Sequence, residues 1–309
     1  MASVNDPAGR RRELFSLLGE LPPRDRAVSA KVKREDDRPG YHLEHLELDL
    51  NGVEPVPAYF IRPQGAEGPL PTVLYNHAHG GDYGLGKGEL LRGHGTYLQA
   101  PPYADDLTSR GYAALCIDAW TFGERHHRSE GVTFKQMLLT GQVLWGMMLY
   151  DNLKALDYLQ SRKDVDCERI GTLGFSMGGG LSWWTAALDE RIRACVDLCF
   201  LTDYHTLIKA NRLGTIGFHY LVPNLLLHFS AAEINALIAP RAHLSIIGVR
   251  DRLAAGVERV DEALRQVYCE AGVSDAWKLS RYDVGHQEPA AARAEALDFL
   301  DRWLRGVPS

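Results

Sequence analysis

The stretch Ile170-Gly171-Thr172-Leu173-Gly174-Phe175-Ser176-Met177-Gly178-Gly179-Gly180 decides how this chain is read. Its first half is a short apolar run of the kind that forms a buried strand. Its second half opens the helical segment 177–188. Between them stands Gly-x-Ser-x-Gly. A serine on a sharp strand-to-helix turn needs small residues two places away on either side, because a Cβ there would meet the facing strand or helix. The turn lifts the Ser176 hydroxyl above the sheet. It also aims the Met177 N–H, at a helix start, toward an anion forming beside that hydroxyl. A glycine-rich turn with an incidental serine has the same local sequence; the strand before and helix after favour the nucleophile.

A serine hydroxyl is a poor nucleophile until a base takes its proton. After such a turn the acid and the histidine follow in that order, each beyond a later strand. The apolar run 243–248 leads into Asp251, and the run 277–282 leads into His286. These two are the expected acid and base for Ser176. Asp203, after the run 194–198, is the rival acid. His205 and His228 precede the last strand and read as insertion or surface histidines.

The second oxyanion donor belongs to the loop after the strand at 72–75, in Tyr75-Asn76-His77-Ala78-His79-Gly80-Gly81. The His79 N–H is assigned, with Gly80 as the neighbouring alternative, and His77 is read as bracing the loop. His77 and His79 with Asp82 also admit a metal reading. Their similarity to the HxHxDH motif of metallo-β-lactamases is partial, since Tyr83 stands where a histidine is needed. No metal or organic cofactor is expected. In 117–125, Asp118 is read as part of an ion pair ordering a loop, with a direct catalytic role as the alternative. Trp183-Trp184 reads as core.

Apolar runs at 72–75, 113–117, 170–175, 194–198, 243–248 and 277–282 alternate with helical segments at 142–160, 177–188, 257–271 and 290–305. Strands apolar along their whole length are buried on both faces, so the alternation predicts one doubly wound α/β domain. Ahead of it, 43–50 and 56–61 flank Asn51-Gly52 and predict an antiparallel hairpin at a sheet edge. Pro55 and Pro57 confine ladder pairing of the second strand to an edge or to Ala58 onward. Residues 1–41 read as a helical extension, with a helix around 11–19 ended by Pro22-Pro23, laid over a domain spanning 42–306. The apolar segment 201–240 interrupts the rhythm. It is read as a cap-like insertion over a substrate pocket, or alternatively as a peripheral helical pair.

Composition fits this picture. The chain has 309 residues, 45% hydrophobic and 24% charged, with a formal net charge of -6, which leaves no basic footprint for nucleic acid. Its five cysteines are odd in number, contain no CxxC pair and read as buried thiols of a reducing compartment. The first 20 residues hold no apolar core of a signal peptide. No stretch reaches the roughly 18 apolar residues of a membrane span. A cytoplasmic location is expected.

Taken together, the His77–Gly81 loop, the 118–125 segment, Gly174–Gly178, Ala239-Pro240-Arg241 and Gly285-His286 resemble the α/β-hydrolase superfamily, in its dienelactone-hydrolase-like and acetyl-xylan-esterase-like branch. The resemblance spans roughly 42–306. It implies a mostly parallel central sheet with helices on both faces and a helical cap. It further implies a carboxylic ester hydrolase working through an acyl-enzyme on Ser176, His286 and Asp251, with a small-molecule ester as partner, no nucleic acid and no membrane. A homodimer is an admissible assembly. Dienelactone hydrolases use cysteine where Ser176 stands, so the serine points to an esterase. Ala78 replaces a frequent glycine, and Arg252-Leu253-Ala254-Ala255 departs from the usual proline-containing turn. C–C, thioester or amide hydrolysis by the same triad stays open, as do a metal-dependent hydrolase and a non-catalytic binding protein of this fold.

Overall fold

The computed structural model describes residues 6–307. Among them, nine strands form one sheet: β1 (Ser29–Arg38), β2 (Tyr41–Asp49), β3 (Val56–Pro63), β4 (Leu70–Asn76), β5 (Ala113–Ile117), β6 (Val165–Phe175), β7 (Ile192–Leu198), β8 (Ala242–Gly248) and β9 (Trp277–Tyr282). Their spatial order is β1-β2-β3-β5-β4-β6-β7-β8-β9. The ladder from β5 through β4 to β9 is parallel, whereas β1, β2 and β3 join antiparallel. Each apolar run predicted from sequence lies within one of β4 to β9. β5 and β8 are buried along their entire length.

The hairpin forms as predicted, with Leu48 opposite Val56 and Leu43 opposite Ile61. On its other side β3 pairs with β5 only over Ala58–Ile61. Pro57 cannot donate to that ladder; its carbonyl instead accepts the Asp118 N–H at 2.9 Å. The hairpin is not the sheet edge, because β1 covers β2. This corrects the helical reading of 1–41. Residues 1–5 lie outside the described residues, Pro7–Ser16 is a helix, and Ser29–Arg38 is the edge strand. The sequence of β1, Ser-Ala-Lys-Val-Lys-Arg-Glu-Asp-Asp-Arg, is exposed nearly throughout. Dense charge is how an edge strand resists pairing with another chain, and it also hides the strand from a search for apolar alternation.

Helices Leu144–Ser161 and Met177–Leu188 pack on one face of the sheet with Leu14 of the first helix. Tyr103–Ser109 and Ala290–Leu300 cover the other face, and Val257–Glu270 packs beside β8 and β9. The predicted helix at 290–305 is α-helical to Leu300 and continues as a π-helical turn over Asp301–Arg305. Segment 201–240 is broken into short helices Tyr204–Lys209, Leu225–His228 and Ala231–Ala236, with 3-10 turns at Leu213–Thr215 and Phe218–Tyr220. Tyr220, Leu225 and Phe229 sink into the core beside Trp145 and Trp184.

All five cysteines are free; Cys116, Cys195 and Cys199 are buried, Cys167 is half-buried and Cys269 exposed. The expectation of buried thiols therefore holds for three. No helix among the described residues is long and apolar enough to cross a membrane.

Candidate active site

Ser176 sits between β6 and the helix Met177–Leu188 at φ 56 and ψ -119. That conformation is strained for a side-chain-bearing residue, at a cost of about 1–3 kcal/mol. The surroundings enforce it. A Cβ on Gly178 would lie 1.9 Å from the Asn76 carbonyl oxygen, and one on Gly174 would lie 2.3 Å from the Gly178 carbonyl. The Ser176 N–H donates to Leu198 O at 2.7 Å, which ties the turn to β7. Below it, the Asn76 side chain bonds Thr172, Ser182 and Asn152 and fixes the end of β4 against the turn.

His286, on the loop after β9, reaches back to this serine. The ring takes a Ser176 Oγ–H hydrogen bond at Nε2, at 2.8 Å, and donates from Nδ1 to Asp251 Oδ2 at 2.6 Å. This tautomer is the one in which Nε2 is the acceptor. Phe175 lies against the imidazole at a centroid distance of 4.9 Å. Asp251 is buried and also accepts the Leu253 N–H at 2.9 Å. Asp203 is elsewhere: it caps the helix Tyr204–Lys209, accepting from His205 N at 3.2 Å and Thr206 Oγ1 at 2.7 Å. His228 pairs with Glu13 at 3.1 Å, and neither it nor His205 joins the serine.

The loop after β4 narrows the choice of oxyanion donor. The Ala78 N–H is held by Glu89, both oxygens at 3.1 Å, and the Gly81 N–H by His79 Nδ1 at 3.1 Å. Among the described hydrogen bonds, the backbone N–H groups of His79 and Gly80 have no such acceptor, nor does that of Met177. His77 braces the loop by donating from Nδ1 to Ala78 O at 2.9 Å and accepting Ala119 N–H at 3.0 Å. The ion pair predicted within 118–125 has other members. Asp118 takes the Lys87 ammonium at 2.7 Å, and Arg125 pairs with Asp151 at 2.8 Å and Glu54 at 2.6 Å.

Glu130 joins three segments around the site. His219 donates from Nδ1 to its Oε1 at 2.9 Å, and Tyr83 donates to its Oε2 at 2.7 Å. His79 Nε2 lies 3.3 Å from Oε2 and 2.9 Å from the Tyr83 hydroxyl. Burial pushes the Glu130 carboxyl up, but the bonds from His219, His79 and Tyr83 outweigh it and hold the group well below the usual carboxylate range. Burial lowers His219, so its ring is neutral at pH 7. His79, Glu130 and His219 bring ligand-type atoms within 4.8 Å of one another, as do Cys199, Asp251 and His286. In both groups imidazoles already hydrogen-bond the carboxylate, and burial pushes the Cys199 thiol up, away from the thiolate a metal would need.

The profile of the acetyl xylan esterase (AXE1) family matches residues 28–215, more than half of the chain. The chain belongs to the acetyl xylan esterase family. This esterase is 53% identical to YtaP of Bacillus subtilis (strain 168), provisionally named a hydrolase, over 96% of its own length and 99% of the relative's. Solved structures share its α/β-hydrolase fold. A provisionally named acetyl xylan esterase from Bacteroides fragilis NCTC 9343 matches with a TM-score of 0.72 at 20% identity, over 95% of this chain and 81% of that one. A glucuronoyl esterase from Solibacter usitatus matches at 0.70 and 16% identity, over 96% and 92%. As a member of this family, the chain is a carboxylic ester hydrolase.

Around this esterase's serine, sequence reading missed Glu130, His219 and Glu89. Glu130 and His219 meet across 89 positions, and Glu89 reaches back 11 residues to the Ala78 N–H outside any helical or strand spacing, so no local pattern announces them. The one available signal was an acidic residue opening a helix at Glu130 with no basic partner one turn away.

Proposed function

We propose that this acetyl xylan esterase family member cleaves esters with a short acyl group through an acyl-enzyme on Ser176. His286 takes the Ser176 proton as Oγ attacks the ester carbon and returns it to the departing alcohol. Water then repeats the sequence with the acyl group as electrophile. Asp251 accepts the Nδ1–H and stabilises the imidazolium. The Met177 and His79 N–H groups receive the oxyanion. One such donor is typically worth about 3–4 kcal/mol in the transition state.

The observation carrying the reading is the unbroken series Asp251–His286–Ser176 with bonds of 2.6 and 2.8 Å. The short acyl preference is supported by bulk on the first turn of the helix after Ser176, where the buried Phe200 and Trp145 rings lie against Gly180. The family's acetyl ester activity points the same way. Free cysteines support a cytoplasmic setting. Rates on p-nitrophenyl acetate, butyrate and octanoate test the reading. Activity should fall with acyl length; preference for the octanoate would contradict it.

A further inference from the structure

Glu89 opens the short helix Glu89–Arg92, and its side chain is fully enclosed. Three groups approach it as donors. Tyr75 gives its hydroxyl proton to Oε1 at 2.8 Å, His94 gives its Nδ1–H to Oε2 at 2.6 Å, and the Ala78 N–H lies 3.1 Å from both oxygens. The tautomer of His94 follows, because a carboxylate only accepts. Hydrogen bonds to an enclosed charge are stronger than those between neutral groups, so Glu89 is a firm anchor for whatever it holds.

Ala78 is held on both sides. Its N–H is fixed by Glu89, and its carbonyl accepts the His77 Nδ1–H at 2.9 Å. That carbonyl shares a planar trans peptide with the His79 N–H, so the N–H points the opposite way from the oxygen. Pinning the two peptides that flank Ala78 therefore sets the direction of the His79 N–H. The loop is backed again two residues further on. A Cβ on Gly80 would lie 2.0 Å from His94 Cε1 and 2.2 Å from Nε2, so the imidazole that Glu89 holds fills the space beside Gly80. The Tyr97 ring meets this imidazole at a centroid distance of 5.3 Å and that of His286 at 6.3 Å, which sets the braced loop close to the base.

We propose that Glu89 is a positioning residue of this esterase: by holding the Ala78 N–H directly and His94 against Gly80, it keeps the Ala78–His79 peptide turned so that the His79 N–H meets the oxyanion formed at Ser176. The proposal rests on the acyl-enzyme reading above. Glu89 touches no substrate and exchanges no proton. Its effect is on the transition state, where the oxyanion exists, and not on binding of the neutral ester.

The test is Glu89→Gln, with Ser176→Ala as control. The amide keeps the volume of the side chain but turns one of its two acceptor oxygens into a donor that faces donors. Assayed well below the thermal midpoint of the variant, kcat on p-nitrophenyl acetate should fall about tenfold or more, with KM nearly unchanged. An alkyl trifluoromethyl ketone gives a readout that lost stability would not move. Ser176 Oγ adds to its carbonyl carbon, the serine proton passes to His286 and the carbonyl π pair becomes an oxyanion. Its inhibition constant should therefore rise by the same factor by which kcat/KM falls. A fall in kcat smaller than about tenfold, a loss confined to KM, or an unchanged ketone affinity overturns the proposal. If Glu89→Gln does not fold, Glu89→Asp, which keeps the charge but draws it back by one methylene, is judged by the same criteria. If Ser176→Ala abolishes turnover while Glu89→Gln keeps it, only the role of Glu89 fails. If Ser176→Ala retains turnover, the acyl-enzyme reading fails with it.

Discussion

The His219 Nδ1–H donates to Glu130 Oε1 at 2.9 Å, so a residue of the 201–240 insertion is tied to the helix Glu130–Leu139. The other Glu130 oxygen accepts the Tyr83 hydroxyl at 2.7 Å. One buried carboxylate thus links the insertion to the loop that carries His79. Removing its charge should loosen both attachments at once.

Glu130→Gln is expected to lower the thermal midpoint at pH 7, because an amide leaves at least one buried donor without its acceptor. The pH dependence has a definite sign. In the folded protein Glu130 lies below the usual carboxylate value because the bonds from His219, His79 and Tyr83 outweigh its burial. Its contribution is therefore fully present above the unfolded value of about 4.3 and is lost as pH falls below it. His219, lowered by burial, acts in the same sense from the imidazole range downward. Thermal melts between pH 7 and pH 3 should show wild type losing stability more steeply than Glu130→Gln below about pH 4.3. Parallel curves would remove Glu130 from this role.

The two candidate acids differ in geometry and should differ in effect. Asp251 bonds the His286 ring, whereas Asp203 caps a helix. Asp251→Asn should lower kcat by about 10⁴-fold, because an amide favours the wrong imidazole tautomer. Asp203→Asn should leave kcat within a few-fold and change stability by about 1 kcal/mol or less. Steady-state kinetics on both variants decide between them, and a larger loss in Asp203→Asn would reverse the assignment.

Backbone packing at the nucleophile makes a third prediction. Gly178→Ala drives a Cβ to 1.9 Å from a backbone oxygen of β4, where no side chain can yield. It should destabilise the fold by at least about 3 kcal/mol. Gly214→Ala, with no atom within 4 Å of the added methyl, should stay within about 0.5 kcal/mol. Urea unfolding of both gives the comparison; equal stabilities would mean that the turn relaxes.

What the sequence discloses and what it conceals have separate physical causes. β4 to β9 were legible because strands buried on both faces are apolar along their length, and Ser176, Asp251 and His286 were legible because each follows such a strand. β1 was not. An edge strand solvated on nearly every residue carries no alternation, and its register is set by the open edge of β2. The ion pair of Asp118 was placed within its own loop, but its partner Lys87 lies on a separate 3-10 turn, Gly86–Gly88. Glu130, His79 and His219 meet only in three dimensions. Tyr220 reads as one more apolar residue of an insertion until Phe200 and Gly180 fix where its ring lies.

Metal dependence separates the triad from the rival reading of the same loop. Exhaustive treatment with EDTA should leave hydrolysis of p-nitrophenyl acetate unchanged, since no step of the acyl-enzyme route involves a metal. Loss of activity that zinc restores would instead point to His79, Glu130 and His219 as ligands, whose atoms lie within 4.8 Å of one another.

The central claim is that a covalent acyl group forms on Ser176 with His286 as its base. Intact-mass analysis after exposure to a fluorophosphonate tests it most directly. Wild type should gain one adduct per chain, mapped to the peptide containing Ser176, and Ser176→Ala should gain none and lose turnover by several orders of magnitude. An adduct on another residue, or turnover surviving in Ser176→Ala, would contradict the account.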